Sequence, residues 1–265
     1  MKFICLGSGS SGNCYYINAD GYGIIIDMGI GLRGLKKHFR DYGLNMGQIN
    51  SILVTHDHTD HVKSVGALSQ DFHVPVYTSQ EVHNGMDRNC LMTKKIKAEE
   101  KKVITHHVPF QLGPFVVTSF PVPHDSSGNN GYLIEYGQVA FCLITDAGEI
   151  TADMVPYVAR ANNLVIEANY DAAMLQNGPY PNFLKRRIAS NTGHLCNETT
   201  AEGLANHLSP NANRVWLCHL SEENNHPELA RKTVETALIT KGFAVGEQLQ
   251  LEILKRKVPT GIYNL

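Results

Sequence analysis

The sequence predicts a mixed α/β fold rich in short strands, and three observations carry that prediction. Apolar runs of strand length recur along the chain, stretches of helical spacing separate them, and glycine is abundant enough for many tight connections. One run after another also closes on a polar residue: Asp27, His56, His124, Asp146, Glu167 and His219. Rigid strands position loop side chains at such ends, and a purely structural protein has little use for so many of them.

In chain order, residues 2–6 read as the first strand, followed by the loop Gly7-Ser8-Gly9-Ser10-Ser11-Gly12-Asn13. Residues 14–17 and 23–26 make a hairpin around the turn sequence Asn18-Ala19-Asp20-Gly21. The glycine loop has no Gly-Lys-Ser/Thr ending and leads into a strand, so it is neither a nucleotide phosphate loop nor a dinucleotide fingerprint. It is either an anion-facing loop of amides and hydroxyls or a tight connection. Leu32, Leu35 and Phe39 mark a helix that stops at Gly43. Residues 49–54 form a buried strand, residues 62–68 have helical spacing, and residues 74–77 form a short strand.

The lysines at 94, 95, 97, 101 and 102, interrupted by Glu99 and Glu100, read as a solvated face. Strands follow at 115–120, 131–135, 139–145 and 164–169, with a helical pattern near Met154 and Val158. Residues 171–176 and 183–189 look helical, and the second carries Lys185-Arg186-Arg187. That basic run serves either backbone phosphates or solubility. Asn197 is placed to cap a helix running to about Leu208. Residues 215–218 are a strand, Pro227 opens a last long helix, and residues 244–254 finish as a strand.

No repeat or low-complexity linker divides the 265 residues, which read as one domain over 1–265. The formal net charge of -2 does not advertise a nucleic-acid binder, although local patches matter more than the sum. Six cysteines form no Cys-x-x-Cys pair, and Cys5, Cys142 and Cys218 lie in apolar runs as core residues. The N-terminal residues enter the glycine loop too soon for a secretory leader, and no apolar stretch approaches membrane-spanning length. A soluble cytoplasmic protein is expected, with no membrane and no organic cofactor.

The stretch around which the chain is organised is Thr55-His56-Asp57-His58-Thr59-Asp60-His61. A lone histidine is usually a packing or surface residue, but this cluster sits where a strand turns into a helix. His56 and His58 are two apart and point the same way from an extended segment, while Asp60 and His61 follow the turn. One loop then offers ligands to two neighbouring ions. Imidazole with carboxylate suits zinc, manganese or iron, and not calcium.

These residues resemble the metallo-β-lactamase superfamily, and within it the WalJ/YycJ branch of DNA-processing hydrolases. The run from His56 to His61 is similar to the superfamily signature, and Asp27, His124, Asp146 and His219 to its other motif residues. The branch is suggested by residues 6–13, by Gly178-Pro179-Tyr180-Pro181 running into residues 184–188, and by Gly193-His194-Leu195. Cys196 stands where that branch more often has serine, and no long inserted cap domain is present.

The resemblance implies an αββα sandwich with two mixed β-sheets flanked by helices. It also implies two divalent metal ions, zinc or manganese. His56, His58 and His124 would hold the first ion, Asp60, His61 and His219 the second, and Asp146 would bridge them. Asp27 would orient a metal histidine from behind. Asp60, Glu167 and His194 would be the catalytic residues, with His194 stabilising charge or protonating the leaving 3′-oxygen and Glu167 ordering a histidine. Ser8, Ser10, Ser11 and Asn13 would receive a terminal phosphate, and Lys185, Arg186 and Arg187 would touch the DNA backbone.

The implied function is a dinuclear metal-dependent phosphodiesterase: a 5′-3′ exodeoxyribonuclease acting on duplex DNA in repair through a metal-bridging hydroxide. The alternative is a small-molecule metallohydrolase acting on a cyclic phosphodiester, lactone or thioester. A non-enzymatic relative would be expected to lack at least one ligand.

Overall fold

The computed structural model describes all 265 residues. Its strands are β1 (Lys2–Gly7), β2 (Cys14–Ala19), β3 (Tyr22–Ile26), β4 (Ile49–Leu53), β5 (Val76–Thr78), β6 (Lys101–Val103) and β7 (Phe110–Leu112). Then come β8 (Phe115–Pro121), β9 (Asn130–Tyr136), β10 (Val139–Ile144), β11 (Asn163–Glu167), β12 (Arg214–Cys218), β13 (Gln250–Ile253) and β14 (Tyr263–Asn264). The helices are α1 (Leu32–Asp41), α2 (Thr59–Val62), α3 (Val65–Phe72), α4 (Gln80–Arg88), α5 (Val155–Arg160), α6 (Ala172–Asn177), α7 (Asn182–Ile188), α8 (Asn197–His207) and α9 (Pro227–Thr240).

The chain divides into two compact units. The first comprises Met1–Ser119, Ser126–Asn130 and Lys255–Leu265; the second comprises Phe120–Asp125 and Gly131–Leu254. The sheet of the first unit runs β14-β1-β2-β3-β4-β5-β6. It is antiparallel from β14 to β3 and parallel from β3 to β6. Asp20 (φ 51°) and Gly21 (φ 78°) make the left-handed two-residue turn that matches the twist of β2 and β3. Leu35 and Phe39 of α1 enter the core with Tyr16, Ile25 and Leu68, and the Phe39 ring lies 4.8 Å from that of Tyr16. β7 and β8 pair antiparallel and extend the other seven-stranded sheet, whose order is β13-β12-β11-β10-β9-β8-β7.

In the second unit β13-β12-β11-β10 run parallel and β9 pairs antiparallel with β10, so this sheet is mixed as well. Its core joins Ile144, Leu164, Ile166 and Leu217 from the strands to Val158 of α5, Leu204 of α8 and Val234 of α9. β11 is buried throughout and β10 and β12 are half-buried only where they begin, so these strands read as apolar runs in sequence, while β13 at the sheet edge buries only Leu251.

Three local expectations change. The helical spacing at residues 62–68 resolves into α2, which begins at Thr59, and α3. The break falls at Lys63-Ser64, where the Ser64 N–H donates to Met28 O (2.9 Å) and Lys63 O accepts from Thr93 N–H (3.4 Å). Asn197 is not the cap of α8: Cys196 is, its Sγ accepting from Thr199 N–H at 3.3 Å, while the buried Asn197 amide pairs with Asn225. The last long strand shrinks to Gln250–Ile253, because Ala244 O accepts from the N–H groups of Gln248 and Leu249 and closes a turn. No helix is long and apolar enough to cross a membrane.

Burial sorts the thiols. Cys5, Cys14, Cys142 and Cys218 are buried, Cys90 is exposed and Cys196 is half-buried. Burial pushes the Cys5 thiol up to about 12 and those of Cys14 and Cys142 upward as well. In the native protein at mildly alkaline pH, an aromatic disulfide reagent is expected to titrate Cys90 first and Cys196 next. The other four should respond only after denaturation; a third fast thiol would contradict this packing.

Candidate metal centre

In the first unit the histidine cluster is built on a buried carboxylate. β3 ends in Asp27, whose backbone takes the left-handed conformation (φ 58°) rare for a side-chain-bearing residue. Asp27 is buried, and its Oδ1 accepts from Thr55 N–H at 2.8 Å. Its Oδ2 accepts from the Thr55 hydroxyl at 2.8 Å and from His61 Nδ1–H at 2.7 Å. The Thr55 hydroxyl lies 3.0 Å from His56 Nδ1. One carboxylate and one hydroxyl therefore engage Nδ1 of the two imidazoles, which makes Nε2 the nitrogen each would offer a metal.

The loop around this cluster is knit by backbone. Asn13 N–H donates to Asp60 O (2.7 Å), Gly29 N–H to Asn13 O (2.9 Å) and Met28 N–H to His61 O (2.7 Å). A Cβ on Gly29 would stand 1.5 Å from Asp60 O, so only glycine lets these segments meet. His58 and Asp60 are half-buried, and the His56 ring lies 4.8 Å from that of His58. Asp57 points elsewhere: its carboxylate accepts from Ser127 N–H and Oγ–H at 3.0 and 2.7 Å.

The glycine loop divides its expected roles. Ser10 and Ser11 are exposed, but Ser8 is buried against the Tyr15 hydroxyl at 3.3 Å. The Asn13 side chain is buried too: Oδ1 accepts from Gly9 N–H at 2.8 Å, and Nδ2 lies 2.8 Å from His61 Nε2 and 3.4 Å from Asp60 Oδ2. The Ser8 and Asn13 side chains thus hold the loop and the cluster together. Arg256 packs against the same loop, its carbonyl accepting from Ser8 N–H at 3.2 Å.

In the second unit Glu167 is the hub. β11 ends in this buried carboxylate. Its Oε2 accepts from Ala147 N–H (2.9 Å) and Leu195 N–H (3.1 Å), and its Oε1 meets His194 Nδ1 (2.8 Å) and His219 Nδ1 (3.1 Å). Asp146 and His219 close β10 and β12 in left-handed backbone, φ 53° and 54°. Asp146 Oδ1 lies 3.4 Å from His219 Nδ1 and 3.5 Å from His194 Nδ1. Donor atoms of Asp146, Glu167, His194 and His219 all lie within 4.8 Å of one another. His124 Nδ1–H donates to Gly193 O at 2.9 Å. Asn169 donates to His219 O at 2.8 Å.

Burial pushes the Glu167 carboxyl up, but His194 and His219 outweigh it and hold the group below its usual range. Burial likewise lowers His194, and Glu167 and Asp146 reverse that into a raised value. In both units the donor chemistry, imidazole with carboxylate and Nδ1 anchored from behind, fits a divalent metal.

The basic helix α7 is a bracket for this unit. Gly193 lies so close that an added Cβ would meet Ile188 O at 2.2 Å, and His194 N–H donates to Ile188 O at 2.9 Å. Lys185 Nζ–H donates to Gln176 O at 2.8 Å, Arg187 pairs with Asp125, and Arg186 is exposed. Sequence reasoning assigned no role to Thr55, Asn169, Gly193 or Arg256. Thr55 and Asn169 sit at the ends of the strand runs read above, which was the available signal.

Residues 22–220 match the family model described as the beta-lactamase superfamily domain. The chain is 35% identical over 262 residues to the exodeoxyribonuclease YycJ of Bacillus anthracis, covering 99% of this chain and 98% of that one. It is 31% identical over 246 residues to the exodeoxyribonuclease WalJ of Streptococcus pneumoniae, covering 93% and 91%. Among solved structures it is similar to the metallo-β-lactamase fold protein YhfI of Bacillus subtilis, with a TM-score of 0.70 at 17% identity and 98% of each chain covered. The two mixed sheets flanked by helices expected from sequence are therefore those of the metallo-β-lactamase fold.

Two outcomes follow from the anchored imidazoles. Asp27→Asn keeps the shape but removes the charge behind His61; divalent-metal affinity, measured by calorimetric titration, should fall about 10- to 100-fold. The second outcome concerns the metal-free protein. A lowered Glu167 stabilises it above the ordinary value of 4.5 and loses that contribution as pH falls through the folded value. A raised His194 stabilises it below 6.5 and loses that contribution as pH rises through its folded value. The melting-temperature difference between wild type and Glu167→Gln in chelator should therefore be largest between those two values. A difference that grows toward high pH would contradict the pairing.

Proposed function

The chain belongs to the beta-lactamase superfamily, and from that premise we propose that it is a metal-dependent exodeoxyribonuclease, degrading duplex DNA 5′ to 3′ in the cytoplasm in the course of repair. The observation that carries this reading is the likeness, over 99% of the chain, to a protein named exodeoxyribonuclease. The set of histidines and carboxylates at the strand ends supports it.

In this reading His56, His58 and His124 hold one divalent ion, Asp60, His61 and His219 a second, and Asp146 serves both; zinc and manganese each suit these donors. Ions so held supply Lewis acidity toward a phosphodiester and lower the pKa of water. The chain's own residues do the rest. Asp27 and Thr55 fix His61 and His56, and Glu167 fixes His219. Glu167 also sets the proton of His194 on Nδ1 at 2.8 Å, so that Nε2 exchanges a proton with the leaving oxygen of the DNA strand. The exposed Ser10 and Ser11, with Arg256 against their loop, receive the terminal phosphate.

The test is end-labelled duplex DNA, with and without a 5′-phosphate, given to the manganese- or zinc-loaded protein. Mononucleotides should leave from the 5′ end, and Asp60→Ala should abolish their release. His194→Ala should lower turnover about 10²- to 10⁴-fold with metal content unchanged. Intact DNA under every metal condition, beside hydrolysis of a small phosphodiester such as bis-p-nitrophenyl phosphate, would instead favour a small-molecule metallohydrolase.

A further inference from the structure

Helix α7 buries none of its residues, and Phe183 on it is 68% exposed. A single exposed aliphatic side chain calls for no partner. Phe183 differs in chemistry and company: it is the one aromatic among the large exposed apolar residues of the chain. Three and four residues on along the helix stand Arg186 and Arg187, which share its face. Arg187 is paired with Asp125, and Lys185 is turned to Gln176 O at 2.8 Å. Arg186 remains exposed and enters no ion pair, so the face presents a flat apolar ring beside an unneutralised guanidinium.

A protein partner would ask for a wider apolar patch. The neighbouring Leu184 and Ile188 are half-buried, which leaves one ring with room for one flat group. Bases stack on such rings whatever their identity, and a guanidinium alongside takes the phosphate. The helix is also fastened to the proposed catalytic loop, since Ile188 O accepts from His194 N–H at 2.9 Å. Phe183 precedes Ile188 by about 7.5 Å of helix rise, about two stacked nucleotides at 3.4 Å each.

We propose that α7 carries a stacking platform for an unpaired nucleotide of the DNA substrate, with Phe183 taking the base and Arg186 the backbone phosphate. This rests on the exodeoxyribonuclease reading and adds to it the part of the substrate that must be single-stranded.

The experiment is fluorescence-anisotropy binding by the whole manganese-loaded protein, using 5′-phosphorylated duplexes that are blunt or carry a short single-stranded overhang and whose terminal linkages are phosphorothioates to slow cleavage. Phe183→Ala should weaken binding of the overhang duplex about 5- to 150-fold and of the blunt duplex about twofold at most. Phe183→Trp should restore it. Arg186→Gln should weaken both and reduce the salt dependence by about one ion. Wild-type affinity of Phe183→Ala for the overhang duplex, or an equal loss on blunt DNA, overturns the platform while leaving the nuclease reading in place. A wild-type protein that binds neither duplex overturns both.

Discussion

The second unit depends on one buried carboxylate. Glu167 spends its Oε2 on two backbone N–H groups, of Ala147 and Leu195, and its Oε1 on the Nδ1 atoms of His194 and His219. A lone carboxylate out of water would cost several kcal/mol and take up a proton. Here four partners hold it ionised, and in return it fixes the ends of β10, β11 and β12 and the loop that brings His194. In the first unit Asp27 ties strand ends together through hydrogen bonds with Thr55 and His61. Each unit is a sheet whose strand ends are tied by an acid behind the histidines.

That arrangement explains where the backbone strain lies. Asp27, Asp146 and His219 all adopt positive φ at strand ends, at a cost of roughly 1–3 kcal/mol each for non-glycine residues. A structural protein would place glycine or asparagine there. The side chains are kept because the carboxylates and imidazoles are needed at those points, so rigidity is assembled around them before any metal or substrate arrives.

Much of this was legible in sequence. The cluster from His56 to His61, the strand ends at Asp27, Asp146, Glu167 and His219, and the mixed α/β pattern need only periodicity and donor chemistry. What stayed hidden depends on tertiary contact. Ser8 and Asn13 look like an anion loop, yet contacts with Tyr15, Asp60 and His61 turn them inward. The basic run of α7 offers three cations in sequence, but Asp125 and the Gln176 carbonyl occupy two of them. β6, β7 and β14 are too short to show a period, and the cysteine cap of α8 is not a residue type that announces a helix start.

The central claim is that acids behind the histidines present Nε2 of His61 and His219 to divalent metal. The most direct measurement is a crystal structure of the manganese-loaded protein with anomalous scattering recorded for the metal. The account predicts ions bound by Nε2 of His61 and His219, with their Nδ1 atoms still on Asp27 and Glu167. Ions ligated through Nδ1, or anomalous peaks on neither histidine, would contradict it.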